Sequence, residues 1–163
     1  MKLSTGDKVA VVPWDFSEQS RESLGKAVEM IGDLEKIRIV HVTTPLSAVE
    51  YGVIWNTLHE DTVVSRLEEE FRRQMKDFTD ADKLNFHVMF GDPGIKICEF
   101  AKEVDASLVV MPSHGRTGMS RMLMGSVAER VVRFAPCPVL VIRCEPDPET
   151  AKSVGAELMT YVV

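Results

Sequence analysis

The feature of this chain that most constrains its fold is a regular alternation of short apolar runs with helical patterns. The apolar runs are continuous, as expected of parallel strands that are buried on both faces of a sheet. They predict strands at residues 8–13, 37–42, 84–90, 107–111 and 139–143. Strand–helix alternation on this scale indicates right-handed crossovers and a sheet that helices cover on both faces. The sequence therefore predicts an α/β fold with a doubly wound parallel sheet.

Capping signals predict where several of the intervening helices begin and end. Ser17 has the hydroxyl of a helix N-cap, and Gly32 is suited to end the helix that follows. Asp92 followed by Pro93 is a typical helix start, because proline has no N–H to lose at the first helical position. Another helix is predicted over residues 126–134. A long amphipathic helix is predicted from spacings of three and four between Val64, Leu67, Phe71, Met75 and Phe78. Residues 43–60 are predicted as a long connection, with a short helix as one option.

Size and charge limit the classes of protein to which the chain can belong. Its 163 residues are enough for one domain with a proper core. The net charge of −6 argues against nonspecific binding to nucleic acid or to an anionic membrane. No apolar run approaches the length that spans a bilayer, and the first seven residues contain no hydrophobic signal region. We therefore expect a cytoplasmic protein that binds neither nucleic acid nor membrane.

The cysteines and histidines give no pattern that predicts a metal site or a disulfide framework. Cys98, Cys137 and Cys144 are an odd number without CxxC spacing. Small buried apolar side chains are the favoured interpretation, with a redox sensor as the alternative. The histidines at 41, 59, 87 and 114 are scattered, without the spacing of metal ligands. We predict no metal ligand among them.

The stretch 113–126 is typical of a phosphate-binding loop. A predicted strand leads into it, glycines lie within it, and a predicted helix opens on Gly125 and Ser126. Glycines let the backbone approach a ligand, and the first N–H groups of a helix are available to donate to an anion. The loop lacks both the Gly-Lys-Ser/Thr ending of a Walker loop and the G-x-G-x-x-G of a dinucleotide site. It is therefore a phosphate loop of another type.

At this loop the sequence resembles the universal stress protein family. ATP-binding members have a glycine, two residues, a second glycine, nine residues, and then Gly-Ser or Gly-Thr. Gly115, residues 116–124, Gly125 and Ser126 match this motif, whereas Pro112 replaces its first glycine. The resemblance extends to residues 11–17, 91–93 and 137–142, and it covers roughly residues 6 to 143 in the family's order. It implies five strands in the order 3-2-1-4-5, with a ligand site where the first and fourth strands end.

The resemblance also implies which residues contact a nucleotide. Asp15 and the two residues before it would line the adenosine pocket, with Val42 as the opposite wall, and the glycine loop would hold phosphate. Without the resemblance, Asp15 is typical of a local turn and Val42 of a buried core. The residues placed at the nucleotide are Pro13, Trp14, Asp15, Val42, Met111, Pro112, His114, Gly115, Arg116, Gly125, Ser126 and Val127. The expected ligand is ATP, ADP or AMP, with magnesium as a candidate accompanying ion.

Three functions remain open at this point. The first is an adenine-nucleotide-binding regulatory protein of the stress response that acts through conformation or through partner proteins. The second is a dimeric interaction module that has lost nucleotide binding. Pro112 favours it, because proline has no N–H and its ring occupies space where the family has only hydrogen. The third is a slow nucleotide hydrolase or phosphotransferase. Against it, the sequence shows no general base beside the loop and no acidic pair for magnesium, so we predict no catalytic residue.

The end of the chain is predicted to differ from the rest. Residues 1–144 form the expected domain, and residues 145–163 form an extension that begins as a polar linker and ends apolar. The extension is expected to dock on its own domain or on a partner subunit. The aliphatic run 139–142 is predicted to lie at a sheet edge, where two copies would pair into a homodimer. The sequence names no other protein partner.

Overall fold

The sheet has the strand order that the resemblance implied. The computed structural model describes residues 8–43, 60–114, 124–143 and 161–162. Within these residues, five parallel strands run in the order β3-β2-β1-β4-β5. They are β1 (Val9–Pro13), β2 (Ile37–Thr43), β3 (Asn85–Phe90), β4 (Ala106–Pro112) and β5 (Val139–Ile142). The predicted five-stranded, doubly wound parallel sheet is therefore confirmed.

One strand was not predicted from the sequence. A short strand, β6 (Tyr161–Val162), pairs antiparallel with β5, with Leu140 opposite Val162 and Val141 opposite Tyr161. It lies within the extension for which docking on the domain or on a partner was expected. In this structure residues 161–162 pair with β5 of their own chain.

The main helices follow the predicted pattern. They are α1 (Glu18–Ile31), α2 (Glu60–Met75), α3 (Pro93–Glu103) and α4 (Ser126–Phe134), and short 3-10 helices occupy Leu34–Lys36 and Ala81–Lys83. The long amphipathic helix ends at Met75, so Phe78 lies in the turn beyond it, where its N–H donates to the Met75 carbonyl at 2.8 Å. Phe78 still packs against the core. The short helix considered for residues 43–60 falls largely outside the described residues. No helix in the described ranges is long and apolar enough to cross a bilayer.

The predicted helix caps are confirmed by their hydrogen bonds. Ser17 Oγ accepts from the Ser20 N–H at 3.2 Å at the start of α1. Gly32 ends α1 with a φ of 74°, a conformation that glycine adopts without a Cβ penalty. Asp92 Oδ1 accepts from the Ile95 N–H at 3.0 Å, with Pro93 in the first helical position of α3. Local side-chain chemistry therefore fixes these boundaries.

The sheet separates two hydrophobic layers among the described residues. In the α3/α4 layer, Val11 and Val109 pack with side chains of α3 and α4, including Ile97 and Val131. In the α1/α2 layer, the next residues along the same strands, Val12 and Val110, pack with Leu24 and Phe71. Successive side chains of a strand point to opposite faces, which explains why neighbours belong to different layers. The runs are apolar throughout because both faces are buried.

Candidate functional site

A cavity lies at the carboxyl ends of β1 and β4, where the sheet changes winding direction. β1 is followed by α1 on one face, and β4 is followed by α4 on the other. Such a switch point leaves a crevice in open α/β sheets. The cavity here has a volume of about 250 Å³. Its position is the one expected from the resemblance.

The cavity brings together most of the residues predicted for the site. Those in its lining are Pro13, Trp14, Asp15, Val42, Met111, Pro112, His114, Gly125, Ser126 and Val127. Gly115 and Arg116 lie outside the described residues, so their predicted role stays a prediction. The prediction missed other lining residues, which are Val40, Pro93, Ile97, Ser113 and Ala128. Val40 had a usable signal, because it lies two residues before Val42 and therefore on the same face of β2.

The carboxylate of Asp15 is held at the start of α1. Its Oδ1 accepts a hydrogen bond from the Ser17 N–H at 3.1 Å and another from the Ser17 hydroxyl. This is the local turn that the sequence left open as an alternative, and Asp15 also lines the cavity. The turn fixes the position of a negatively charged acceptor beside an apolar cavity. One side chain thus serves both the backbone turn and the cavity wall.

Trp14, the residue before Asp15, packs on the other side of the sheet and contacts His41 through its carbonyl. The indole of Trp14 is buried in the α1/α2 layer, with its ring centroid 5.4 Å from that of Phe71 in an edge-to-face contact. The ring therefore belongs to the α1/α2 side of the sheet, and Trp14 also contributes to the cavity lining. His41 Nδ1 lies 2.7 Å from the Trp14 carbonyl oxygen. Because a carbonyl only accepts, this nitrogen of His41 carries the proton.

The N-terminus of α4 faces the cavity without a side-chain cap. Gly125 is the N-cap residue, and no described side chain caps the helix there. The Gly125 N–H donates to the Ser113 carbonyl at 2.8 Å, and the first intrahelical bond runs from the Glu129 N–H to the Gly125 carbonyl at 2.9 Å. The N–H groups of Ser126, Val127 and Ala128 precede that bond. They form the positive end of the helix dipole beside the cavity, an arrangement that favours an anion.

Gly125 lies at a close approach of two backbone segments. A Cβ at this position would lie 3.2 Å from the Ser113 carbonyl oxygen and 3.7 Å from the His114 Cα. The φ of −60° is accessible to any residue, so the constraint is space rather than backbone conformation. The glycine therefore keeps α4 close to the end of β4.

Pro112 is the buried last residue of β4 and part of the cavity wall. On the β5 side, Val109 and Ser113 donate to the carbonyls of Pro138 and Ile142 at 3.0 and 2.8 Å. Since N–H groups alternate along a strand, the nitrogen of Pro112 is directed toward β1 and the cavity. A glycine here would add an N–H on that side. The proline consequently costs the β4–β5 ladder nothing, but it removes a donor from the cavity wall.

The flank of the cavity is formed where α3 meets α4. Arg130 on α4 donates from Nη1 to Asp92 Oδ2 at 2.7 Å, and Asp92 caps α3. The Arg130 guanidinium and the Ile95 N–H both hold the pKa of the Asp92 carboxyl below its ordinary value. The side chain of Arg130 passes over Gly94, where a Cβ would lie 2.5 Å from Arg130 Cδ. This contact sets the spacing between the two helices that supply Pro93 and Ser126 to the cavity.

The described residues offer no metal centre. Among them, no group of three or more His, Cys, Asp or Glu side chains is placed to hold a metal ion. His114 Nδ1 lies 3.1 Å from Ser113 Oγ beside the cavity. The lining combines a mainly apolar wall with one carboxylate and one helix N-terminus, which suits a small ligand that carries both an apolar ring and an anionic group.

Comparison with known proteins agrees with the fold and with the motifs. The model of the universal stress protein family matches residues 8–143. Universal stress protein MJ0531 from Methanocaldococcus jannaschii is 32% identical over 142 residues, which cover 83% of this chain and 82% of that protein. The solved structure of MJ0577 from the same organism has a TM-score of 0.65 at 25% identity and covers 86% of this chain and 98% of its own.

A third relative was solved with a ligand. The universal stress protein from Archaeoglobus fulgidus in complex with dAMP has a TM-score of 0.54 at 20% identity. The match covers 83% of this chain and 98% of that one. At this level of identity the likeness supports the fold.

Proposed function

Because the chain belongs to the universal stress protein family, we propose that it binds an adenine nucleotide in the cavity and acts in the stress response through nucleotide-dependent conformation or partner binding. One observation carries this proposal: Asp15 and the uncapped N-terminus of α4 both line the same cavity. A nucleoside phosphate has hydroxyl and amino donors at one end and an anionic phosphate at the other. A carboxylate can accept from the donors, and a helix N-terminus can bind the phosphate.

Each part of the ligand has a matching wall. The adenine ring would pack against the apolar side chains of Val40, Val42 and Met111. The carboxylate of Asp15 would accept hydrogen bonds from ribose hydroxyls or from the adenine amino group. The N–H groups at the start of α4 would bind phosphate. The complex of the Archaeoglobus fulgidus relative with dAMP supports this choice of ligand class.

Pro112 leads us to propose a preference for fewer phosphates. The donor that a glycine would direct toward the cavity is missing, and the pyrrolidine ring occupies the wall. We therefore expect AMP or ADP to bind at least as tightly as ATP. No group of three or more metal-ligating side chains occurs among the described residues, so a magnesium ion that accompanies the nucleotide would be held mainly by its phosphates and by water. We propose no catalytic residue.

The same residue supports a second candidate function. If Pro112 excludes every nucleotide, the protein is an interaction module whose cavity is a remnant of the family's site. In both cases we propose that residues 1–144 are the functional domain, that two copies pair through β5, and that the protein acts in the cytoplasm. The pairing is inferred from the position of β5 as the outermost parallel strand, whose outer side carries only the two-residue strand β6.

Native mass spectrometry of protein purified without added ligand, followed by calorimetry with AMP, ADP and ATP, tests the proposal. A bound mass near that of an adenine nucleotide is expected. Asp15→Asn keeps an oxygen that can accept from the Ser17 N–H but removes the charge, and should weaken binding with α1 intact. Gly125→Val should abolish binding by placing bulk at the start of α4.

Gly25→Ala is a control variant that changes a glycine in α1, outside the cavity lining. Its added Cβ would have no described atom within 4 Å apart from its own turn of α1, so it should leave nucleotide affinity unchanged. Circular dichroism checks that each variant is folded. If a folded Gly125→Val protein keeps wild-type affinity, the α4 terminus does not hold the phosphate. Absence of any bound nucleotide, in the wild type and after Pro112→Gly, would favour the interaction module.

A further inference from the structure

The outer edge of β5 is already paired within the chain. β5 is the last parallel strand of the sheet, and β6 lies against it in antiparallel orientation. An open edge strand exposes a row of backbone donors and acceptors that can pair with another chain. At Leu140 and Val141 this row is occupied by Val162 and Tyr161. The C-terminal strand therefore covers the middle of the edge.

The side chains of β5 are committed to the core on both faces. Val139 and Val141 are buried in the α3/α4 layer, while Leu140 and Ile142 pack against the α1/α2 layer. A partner at this edge can therefore bind β5 mainly through its backbone N–H and carbonyl groups. Recognition at this edge is by strand addition, in which main-chain hydrogen bonds supply the affinity. Any extended strand with the right orientation can compete for it.

The orientation of β6 is the one that a second β5 would need. Two edge strands related by a twofold axis perpendicular to the plane of the sheet pair antiparallel, and β6 is antiparallel to β5. We propose that β6 is a built-in cap that blocks pairing of two copies through β5, so that the chain associates only when its C-terminal strand leaves. This inference rests on the proposed pairing through β5, and it makes that pairing conditional.

The cap is small enough to be displaced. β6 has two residues against the four of β5, so a second β5 can form a longer ladder than β6 does. In cis the cap has the advantage of being tethered, because a linked strand is present at high effective concentration. Occupancy of the edge by β6 or by a second copy then depends on protein concentration and on anything that sequesters the C-terminal residues.

Analytical ultracentrifugation of three proteins at micromolar concentration tests the proposal. They are the full chain, a truncation after Thr160, and the double variant Tyr161→Pro/Val162→Pro, in which proline removes backbone donors. The full chain should be monomeric, and the other two should be dimeric. Val163→Pro, one residue beyond β6, is the matched control and should behave as the full chain.

A synthetic peptide of residues 157–163 provides a second readout. Added to the truncated dimer, it should occupy the freed edge and return the protein to monomer. Dimers in all proteins would show that β6 does not block association, and monomers in all would refute pairing through β5. A dimeric full chain with a monomeric truncation would mean that β6 is exchanged between copies, which also overturns the cap. Nucleotide affinity of the truncation should be unchanged, so these outcomes are separate from the test of the cavity.

Discussion

The contact between Gly94 and Arg130 gives a sharp test of how α3 and α4 are held together. In Gly94→Ala, the new Cβ would lie 2.5 Å from Arg130 Cδ, 2.9 Å from its Cβ and 3.0 Å from its Cγ. The Cδ atom can swing away, but the Cβ of Arg130 is attached to the backbone of α4. The two helices must therefore move apart, or the side chain of Arg130 must leave Asp92.

The size of the effect follows from opposing contributions. Inserting a methyl group into a filled contact costs about 1 to 3 kcal/mol. Replacing glycine by alanine in a helix returns about 0.5 to 1 kcal/mol, with less at the second position of α3. The ion pair with Asp92 adds little, since both side chains are about half exposed. We expect Gly94→Ala to lower the free energy of unfolding by about 1 to 2 kcal/mol.

Denaturant and thermal unfolding measure this change. For a chain of this length, each kcal/mol corresponds to about 2 to 4 °C in the melting temperature. Gly25→Ala in α1 is the matched control, because its added Cβ would have no described atom within 4 Å apart from its own turn of the helix. It should be neutral or stabilising by up to about 1 kcal/mol. Gly94→Ala should lower the free energy of unfolding, whereas Gly25→Ala should leave it unchanged or raise it. This difference reports the contact between residue 94 and Arg130.

The background variant Arg130→Ala sharpens the test. It removes Cγ and Cδ but keeps the Cβ, so the penalty of Gly94→Ala should shrink without disappearing. An unchanged penalty in this background would show that the long part of the Arg130 side chain is not responsible. A Gly94→Ala protein as stable as Gly25→Ala would refute the reasoning altogether.

Three further predictions concern the cavity and the titrating groups. Pro112→Gly should tighten ATP by about fivefold, the value of one net hydrogen bond, with little change for AMP; calorimetry showing equal gains for both would contradict this. Burial lowers the pKa of His87, so it favours the neutral folded form. The resulting stability is full above the ordinary histidine pKa of about 6.5 and is lost as the pH falls, and His87→Asn should flatten that dependence in unfolding experiments between about pH 5 and 8. Burial raises the pKa of the Cys98 and Cys137 thiols, so iodoacetamide should alkylate both more slowly at neutral pH than an exposed peptide thiol. Mass spectrometry measures the rates, and a faster reaction in the folded protein would contradict the prediction.

The fold was predictable where local chemistry decides it. Ser17, Gly32 and Asp92 fix helix ends through hydrogen bonds or backbone conformation within a few residues, and the apolar runs fix the strands. The strand order required the family resemblance, because periodicity carries no information on which strands are neighbours. β6 was missed because a strand of two residues is too short to give a periodic pattern.

The candidate site was predictable only in part. Residues within the matched motifs, such as Asp15 and Gly125, line the cavity, and their contact with a nucleotide stays a prediction. Pro93 and Ile97 were missed, since they reach the cavity through the packing of α3 beside α4. That packing depends on Gly94 and Arg130, which lie far apart in the sequence. Contacts of this kind leave no local pattern, and only the three-dimensional structure shows them.

Because the core is divided into two layers, ligand binding should protect amides from hydrogen exchange in one part of the protein more than in the other. The apolar wall of the cavity, with Ile97 and Ala128, belongs to the α3/α4 layer, and the helices of the α1/α2 layer lie across the sheet. Amides that exchange with solvent only through global unfolding gain protection from a ligand everywhere in the chain. Amides that exchange through local opening gain protection from the ligand only where that opening disrupts the binding site. Hydrogen exchange should thus slow selectively in α3 and in the first turn of α4, while local fluctuations of α2 continue unchanged. Apart from the turn at Asp15, ligand occupancy is therefore expected to be reported by the helices on the α3/α4 face of the sheet and not by α2.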